Sequence, residues 1–321
     1  MGLLMSRVLV TGANGFLGRA VCTQLQLANH DVIPLNGKRE FDLTDKKQVF
    51  HALTSTKPEK VIHLAATCGG IGINQEQPGK FLYDNLAMGM NLIEGCRQYG
   101  TEKFVMMGTV CSYPKHTPVP FKESDLWNGY PEETNAPYGI AKKTLMEMLI
   151  AYKNQYDFNS CNLIPVNMYG VWDNFNPASS HVIPALILKI AKAMDAMVDP
   201  EITIWGDGTA SREFLYVTDC ANAIVKAMEV ETSPSPINLG TGKEISISDL
   251  VNKIAQIMGY KGMISFDNSK PNGQPRRCLD VSLAKERLGW QAETPLDLGL
   301  VHTIEWFYAN KDEYDDYYDY I

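Results

Sequence analysis

The stretch Arg7-Val8-Leu9-Val10-Thr11-Gly12-Ala13-Asn14-Gly15-Phe16-Leu17-Gly18 decides how the rest of the chain is read. Its first five residues form a short strand-forming run, and residues 20–27 behind the glycines have helical spacing. Strand, glycine turn and helix in that order aim backbone N–H groups and the positive end of a helix at one spot, where a diphosphate can sit. The spacing is Gly-x-x-Gly-x-x-Gly, so the generic dinucleotide fingerprint is only partly met; the flanking strand and helix favour a nucleotide site over a plain tight turn. Gly12, Asn14, Gly15, Phe16, Leu17 and Gly18 are the candidate cofactor contacts of this turn.

Outward from the turn, the alternation repeats. Asp31–Leu35, residues 60–66, Lys103–Met107 and Ser160–Pro165 read as further strands, with helices over about 77–99 and from Tyr138 to about 156. This predicts an α/β fold with a doubly wound parallel sheet. The second strand ends in Asn36-Gly37-Lys38-Arg39, where an acid would grip ribose hydroxyls and bases accept a 2′-phosphate, so NADP(H) is the expected cofactor. Asp42 and Leu43 follow within reach of an adenine edge, and the small Ala65-Ala66 end of the third strand lets a cofactor pass close to the backbone. His63, inside that apolar run, reads as a satisfied core histidine.

After Gly170 the texture changes. A polar loop over 173–181 enters an apolar helix reaching Lys189; residues 202–208 and 211–217 predict a hairpin with Trp205 and Arg212 at its mouth; residues 237–240 read as a last sheet strand. Residues 1–168 with 214–241 are expected to form a dinucleotide-binding domain, and 169–213 with 242–321 a smaller substrate domain. The loop from Asp267 through Lys270, Asn272, Arg276 and Arg277 is cationic and suits phosphates.

The bulk figures exclude several classes. With 321 residues, 45% hydrophobic and 21% charged, the chain is globular with room for two cores. A net charge of -8 and no basic stripe speak against a nucleic-acid partner. Seven scattered cysteines without a Cys-x-x-Cys pair point to reduced thiols in the cytoplasm and away from a structural metal. No apolar run reaches membrane-spanning length, and six residues before the first strand are too few for a signal peptide; they fit a myristoylation pattern but read as a plain leader. The acidic, tyrosine-rich end over 313–320 is expected to fray.

The chemistry gathers between Gly108 and Lys142. The buried run Lys103–Met107 ends in Gly108-Thr109-Val110-Cys111-Ser112, and in parallel sheets ligands collect at carboxyl strand ends. Tyr138 and Lys142, four apart, share a helix face, so the ammonium is expected to hold down the phenol's pKa.

The motifs Gly12-x-x-Gly15-x-x-Gly18 and Tyr138-x-x-x-Lys142 resemble extended short-chain dehydrogenase/reductases acting on nucleotide sugars. A narrower resemblance is to the GDP-L-fucose synthase family. It is carried by Val110-Cys111-Ser112-Tyr113-Pro114-Lys115, Glu133-Thr134-Asn135-Ala136-Pro137-Tyr138, Asp173-Asn174-Phe175, Ser180-His181-Val182-Ile183-Pro184, Arg212-Glu213-Phe214-Leu215 and Lys270-Pro271, and spans nearly the whole chain. The resemblance implies NADPH-dependent 3,5-epimerisation and 4-reduction of GDP-4-keto-6-deoxy-D-mannose by a homodimer built through helices 77–99 and 138–156. It makes Cys111 the base and His181 the acid of epimerisation, and gives the reduction to Tyr138 and Lys142 with Thr109. It adds Gly108, Lys142, Pro165, Asn167, Met168 and His181 to the cofactor contacts, and Asn167, Lys189, Trp205, Arg212, Lys270 and Asn272 as substrate contacts.

Four residues depart from the family pattern: Thr109 stands for serine, Lys189 for arginine and Asn272 for aspartate, and Asn14 lacks a positive charge found in some relatives. The chemistry suits the pair named. In a 4-keto sugar the C3 and C5 protons adjoin the carbonyl, and a thiol on one face with an imidazole on the other would invert the carbon. A 4,6-dehydratase would carry an Asp-Glu pair where Val110-Cys111 stands, and a 4-epimerase needs no cysteine/histidine pair. A related GDP-4-keto heptose or dideoxyhexose is an alternative substrate. A non-catalytic NADP-binding sensor should have lost Tyr138 and Lys142.

Overall fold

The computed structural model describes residues 5–38, 40–69, 71–177, 179–196, 201–270 and 274–312. Arg39, Asn272, the first four residues and the stretch 313–320 singled out above lie outside them. The first half alternates as expected: β1 (Arg7–Thr11), α1 (Phe16–Leu27), β2 (Asp31–Leu35), α2 (Lys46–Thr56), β3 (Lys60–His63), α3 (Ile71–Glu76), α4 (Pro78–Tyr99), β4 (Lys103–Met107), α5 (Ala136–Tyr156) and β5 (Ser160–Pro165). The second half comprises β6 (Asn167–Tyr169), α6 (Val182–Asp195), β7 (Glu201–Trp205), β8 (Ser211–Tyr216), α7 (Val217–Val230), β9 (Ile237–Leu239), β10 (Glu244–Ser246), α8 (Ile247–Met258), β11 (Met263–Asp267), α9 (Ser282–Leu288) and α10 (Leu296–Ala309).

Six strands pair in the order β2-β1-β3-β4-β5-β9, every pair parallel. Helices cover both faces, α1 against α7 on one and α2, α4 and α5 on the other. Burial on both faces is why β4 and β5 read as unbroken apolar runs; each is buried at every position. Chain order reverses between β1 and β3, which opens a crevice at their carboxyl ends. The expected third strand over 60–66 stops at His63: Leu64 N–H is shared between the Thr11 carbonyl at 3.3 Å and the Thr11 hydroxyl at 3.1 Å, and Ala65 N–H donates to that hydroxyl at 3.1 Å.

The hairpin expected over 202–217 does not form. β7 pairs in parallel with β11, whereas β8 lies between β10, antiparallel, and β6, parallel. The intervening turn has left-handed glycines, Gly206 at φ 82 and Gly208 at φ 76, and its bonds go outward: Gly206 N–H to Asp267 O at 3.0 Å, Ser248 N–H to Gly208 O at 3.0 Å. Turn chemistry was local, but the strands' partners come from other elements, β11 for β7 and β6 and β10 for β8. A second hydrophobic cluster, around Tyr169, Phe175, Ile187, Ile254 and Phe307, sits apart from the cluster of the large sheet. Among the described residues, no helix is long and apolar enough to cross a membrane.

Candidate active site

The glycine turn is built by close backbone approach. Gly12 sits at φ 69, and a β-carbon there would meet Ala65 N at 2.9 Å; one on Gly18 would collide with the Gly12 carbonyl. Gly15 N–H closes the turn on Gly12 O at 3.0 Å and starts α1 without a side-chain cap, leaving the first helical N–H groups for an anion. Asn14 is exposed, and Phe16 and Leu17 are half-buried beside it. A cradle that only glycine permits, opening on uncapped N–H groups, fits the diphosphate of a dinucleotide.

Behind the turn, His63 is 1% exposed, with Nδ1 2.9 Å from the Thr11 hydroxyl. Burial, then the Lys142 charge, pushes its pKa down to about 3, so it is the neutral core histidine expected. At the far side, Lys38 pairs with Asp42 at 3.0 Å, which raises its pKa. Asp42 in turn accepts from the Thr44 hydroxyl at 2.7 Å, and Leu43 is buried. The Lys38 charge is therefore shared with a carboxylate, not held free for a phosphate.

β4 delivers Gly108 and Thr109 to the crevice, with Gly108 N–H bonded to Leu163 O at 2.7 Å. The Thr109 hydroxyl accepts the Cys111 N–H at 3.2 Å, capping the short turn Val110–Ser112. That bond leaves the hydroxyl hydrogen free to donate. The Tyr138 helix docks directly on this turn: a β-carbon at Gly139 would run into the Cys111 carbonyl, and Ser112 Oγ donates to Gly139 O at 3.0 Å. Glycine after the tyrosine thus sets the thiol turn and the phenol side by side, a role its sequence position signals but that reading for polar groups passes over.

Lys142 is 2% exposed, its Nζ 6.0 Å from the Tyr138 ring centroid. Burial brings its pKa down to about 8, opposed by charge on Cys68. The Tyr138 phenol moves the other way from expectation: burial first, then negative charge on Cys68 and Cys111, raises it well above 10. An ammonium this far off cannot outweigh desolvation of the phenolate. Cys68 was missed. It is exposed, just past the Ala65-Ala66 segment that follows β3, and the preceding Thr67 is clamped by buried Asn85, whose Oδ1 accepts Thr67 N–H at 3.1 Å and whose Nδ2 donates to Thr67 O at 2.8 Å. Its place at a carboxyl strand end was the available signal.

His181 precedes α6, extended at φ -86, with an exposed ring whose pKa the surrounding protein lowers below 6.5. Cys68 and Tyr138 are both reachable by solvent yet desolvated, and close enough for the Cys68 sulfur to act on the phenol. Among the described residues, no hydrogen bond joins His181 to Cys111 or Tyr138. Pro165 ends β5 buried, Met168 is half-buried against the large core, and Asn167 Nδ2 donates to Glu213 O at 3.2 Å.

The substrate candidates fall into two groups. Lys189 Nζ donates to Thr203 O at 2.7 Å, and Lys270 Nζ lies 5.6 Å above the ring of Trp205, which is 68% exposed. Arg212 is half-buried on β8, its pKa brought down to about 10 by burial and by the charge of Arg277. The cationic loop divides: Arg276 Nε binds Glu244 at 2.9 Å, whereas Arg277 Nη1 reaches the Cys111 sulfur at 3.9 Å. An acid on β10 thus holds one arginine, and the other reaches the thiol. Glu213, fully buried, fastens this loop by accepting N–H groups of Gly242 at 2.6 Å and Leu279 at 2.7 Å. At the end of β4 the chain brings together a hydroxyl, a thiol and a phenol, groups able to move protons beside a carbonyl.

A family model described as the NAD dependent epimerase/dehydratase family matches residues 8–240. The chain is 38% identical over 317 residues to GDP-L-fucose synthase of Escherichia coli strain K12, covering 96% of this chain and 98% of that one. It is 40% identical over 309 residues to GDP-L-fucose synthase of Sinorhizobium fredii, covering 95% and 96%. The solved structure of a GDP-L-fucose synthetase from Naegleria fowleri bound to NADP superposes with a TM-score of 0.87 at 27% identity, covering 97% of both chains.

Proposed function

The chain belongs to the NAD dependent epimerase/dehydratase family, and we propose that it epimerises C3 and C5 and reduces C4 of GDP-4-keto-6-deoxy-D-mannose with NADP(H), yielding GDP-L-fucose. The observation that carries this reading is the docking of Gly139 on the Cys111 turn, which places a thiol and a phenol at one strand end.

In this reading residues 1–168 with 214–241 hold the cofactor, through the Gly12-to-Gly18 cradle, and 169–213 with 242–321 hold the nucleotide sugar. When bound, the dihydronicotinamide supplies hydride to C4. Cys111 takes the proton from the carbon beside the ketone; the C–H pair moves onto O4 as an enolate. Thr109, its hydrogen free, and Tyr138 donate to that oxyanion, the interaction that usually supplies most rate. His181 protonates the carbon from the other face. Tyr138 then gives O4 its proton, the raised pKa keeping the phenol protonated for the task. Lys189, Trp205, Lys270 and Arg212 grip the GDP moiety, the exposed indole offering a face to the base.

Two helices support a homodimer: α4 and α5 pack together and leave Tyr83, Met90 and Tyr156 exposed. Light scattering at micromolar concentration checks this. Seven unpaired thiols suit a reducing cytoplasm. The function is tested by NADPH consumption with GDP-4-keto-6-deoxy-D-mannose and the product's stereochemistry by NMR. Turnover only with a GDP-4-keto heptose or dideoxyhexose would move the substrate assignment; tight NADPH binding with no oxidation on any such sugar would favour a sensor.

A further inference from the structure

Arg277 is a cation in search of an anion. Its Nε and Nη2 both donate to the Gln274 side-chain oxygen, at 3.3 and 3.0 Å, and Gln274 Nε2 donates to the Lys115 carbonyl at 3.0 Å. That neutral tether fixes one edge of the guanidinium to the loop that continues from Cys111 and turns the remaining Nη1 onto the Cys111 sulfur, 3.9 Å away. No carboxylate pairs with Arg277 among the described residues, while its neighbour Arg276 has Glu244. Arg212, half-buried, adds a second positive charge beside it. A fold that brings two guanidiniums together without an acid has prepared the place for negative charge.

The strap bearing Arg277 is positioned by more than the tether. Ser211 N–H donates to Pro275 O at 2.9 Å, Phe121 N–H to Cys278 O at 2.8 Å, and Leu279 N–H to the buried Glu213 carboxylate. Arg277 thus arrives at the sulfur on a segment pinned at both ends, about 166 residues away in sequence from the thiol it touches.

We infer that Arg277 is a positioning residue for epimerisation: its tethered guanidinium aims the Cys111 sulfur and stands as the counter-charge facing it when it acts as base. When the sulfur forms its S–H bond, the electron pair of the broken C–H bond becomes the enolate charge on O4, and Arg277 is left facing a neutral thiol. The inference deepens the proposed function and rests on it for the identity of the proton that Cys111 takes; the coupling between guanidinium and sulfur does not.

The test is therefore run on the thiol itself. The full chain is treated with iodoacetamide and each cysteine is followed by peptide mass spectrometry, in wild type, Arg277→Gln and Arg277→Lys. Because the thiolate is the reactive form, wild-type Cys111 is expected to react about tenfold faster than in R277Q, with R277K restoring most of the difference and Cys68 unchanged as internal reference. Equal Cys111 rates in wild type and R277Q overturn the inference, and so does a loss that lysine does not repair. Should R277Q fail to fold, Gln274→Leu decides, since it keeps the charge and cuts the tether: slower Cys111 alkylation supports the inference, an unchanged rate overturns it. Alongside, deuterium exchange into GDP-4-keto-6-deoxy-D-mannose with oxidised cofactor should fall in kcat for R277Q with KM kept; a raised KM with kcat kept would make Arg277 a phosphate ligand instead. Arg277-dependent alkylation without any wild-type exchange would sink the proposed function and leave the thiol coupling standing.

Discussion

The glycine turn at the end of β1 and the arginine strap before α9 both serve the same crevice, and they are made differently. In the turn, Gly12, Gly15 and Gly18 pack on one another within seven residues, and one outside stretch of backbone, Leu64-Ala65, closes the cradle. In the strap, apart from the Arg277–Gln274 tether, the fixing contacts come from distant elements: Phe121, Glu213, Ser211 and Lys115. The first is backbone geometry that a spacing pattern encodes; the second is a set of side-chain partners that only the folded chain brings together. The lesson is that the cofactor side of this site is built by exclusion of side chains and the proton-transfer side by long-range placement of them.

The largest effect is expected where exclusion is violated. Gly12→Val puts a branched side chain at φ 69 against the Ala65 backbone, and should abolish NADPH binding and cost on the order of 3 kcal/mol of stability. Fluorescence titration with NADPH and a thermal melt read both. Retained binding would mean the cradle is not the diphosphate site. Next comes Cys111→Ser, which keeps the turn's shape: deuterium exchange at C3 and C5 should drop roughly 100-fold or more while NADPH affinity stays, since a hydroxyl is a far weaker base than a thiolate. Unchanged exchange would take the sulfur out of the proton transfers.

What the sequence made legible follows the same division. The six-stranded sheet, the glycine turn, Thr109, Tyr138 and Lys142 were readable because each depends on spacing within one strand, turn or helix. The false hairpin at 202–217 failed because local turn polarity was right but pairing was decided from elsewhere, by β11 and β10; the partners of Arg276 and Arg277, Glu244 and Cys111, were hidden for the same reason. The phenol's pKa was misjudged because helical spacing shows that Tyr138 and Lys142 share a face, not how deeply both are buried.

Two buried charges sharpen the comparison, because they should change stability with pH in opposite windows. Lys142, on the thiol side, has its pKa brought from 10.5 to about 8 by burial, so the unfolded chain binds more protons between those values and stability rises with pH there. Lys142→Met should therefore stabilise the protein below pH 8, by on the order of 3 kcal/mol, lose that advantage by about pH 10.5, and be inactive in reduction. Asp173, in the loop leading to His181, is buried with one carboxylate oxygen unpartnered, and burial raises its pKa from 3.8 to about 7. Here the folded chain binds the extra proton, so stability falls as pH rises through that window. Asp173→Asn, isosteric with the neutral acid, should stabilise above pH 7 and do nothing below about pH 4. Chemical denaturation at three pH values reads both; parallel trends would mean burial is not what sets these groups.

The smallest effect is expected at Lys38. Its ammonium is exposed and already shared with Asp42 at 3.0 Å, so screening and the competing carboxylate blunt any attraction for a 2′-phosphate. Lys38→Met should weaken NADPH binding only about threefold and leave NADH binding unchanged. Asp42→Asn separates the causes: freeing the ammonium from its partner should tighten NADPH binding by a similar factor without touching NADH. If Asp42→Asn weakened both cofactors equally, the carboxylate would be acting on the adenosine they share, and Lys38 would be its anchor, not a phosphate ligand.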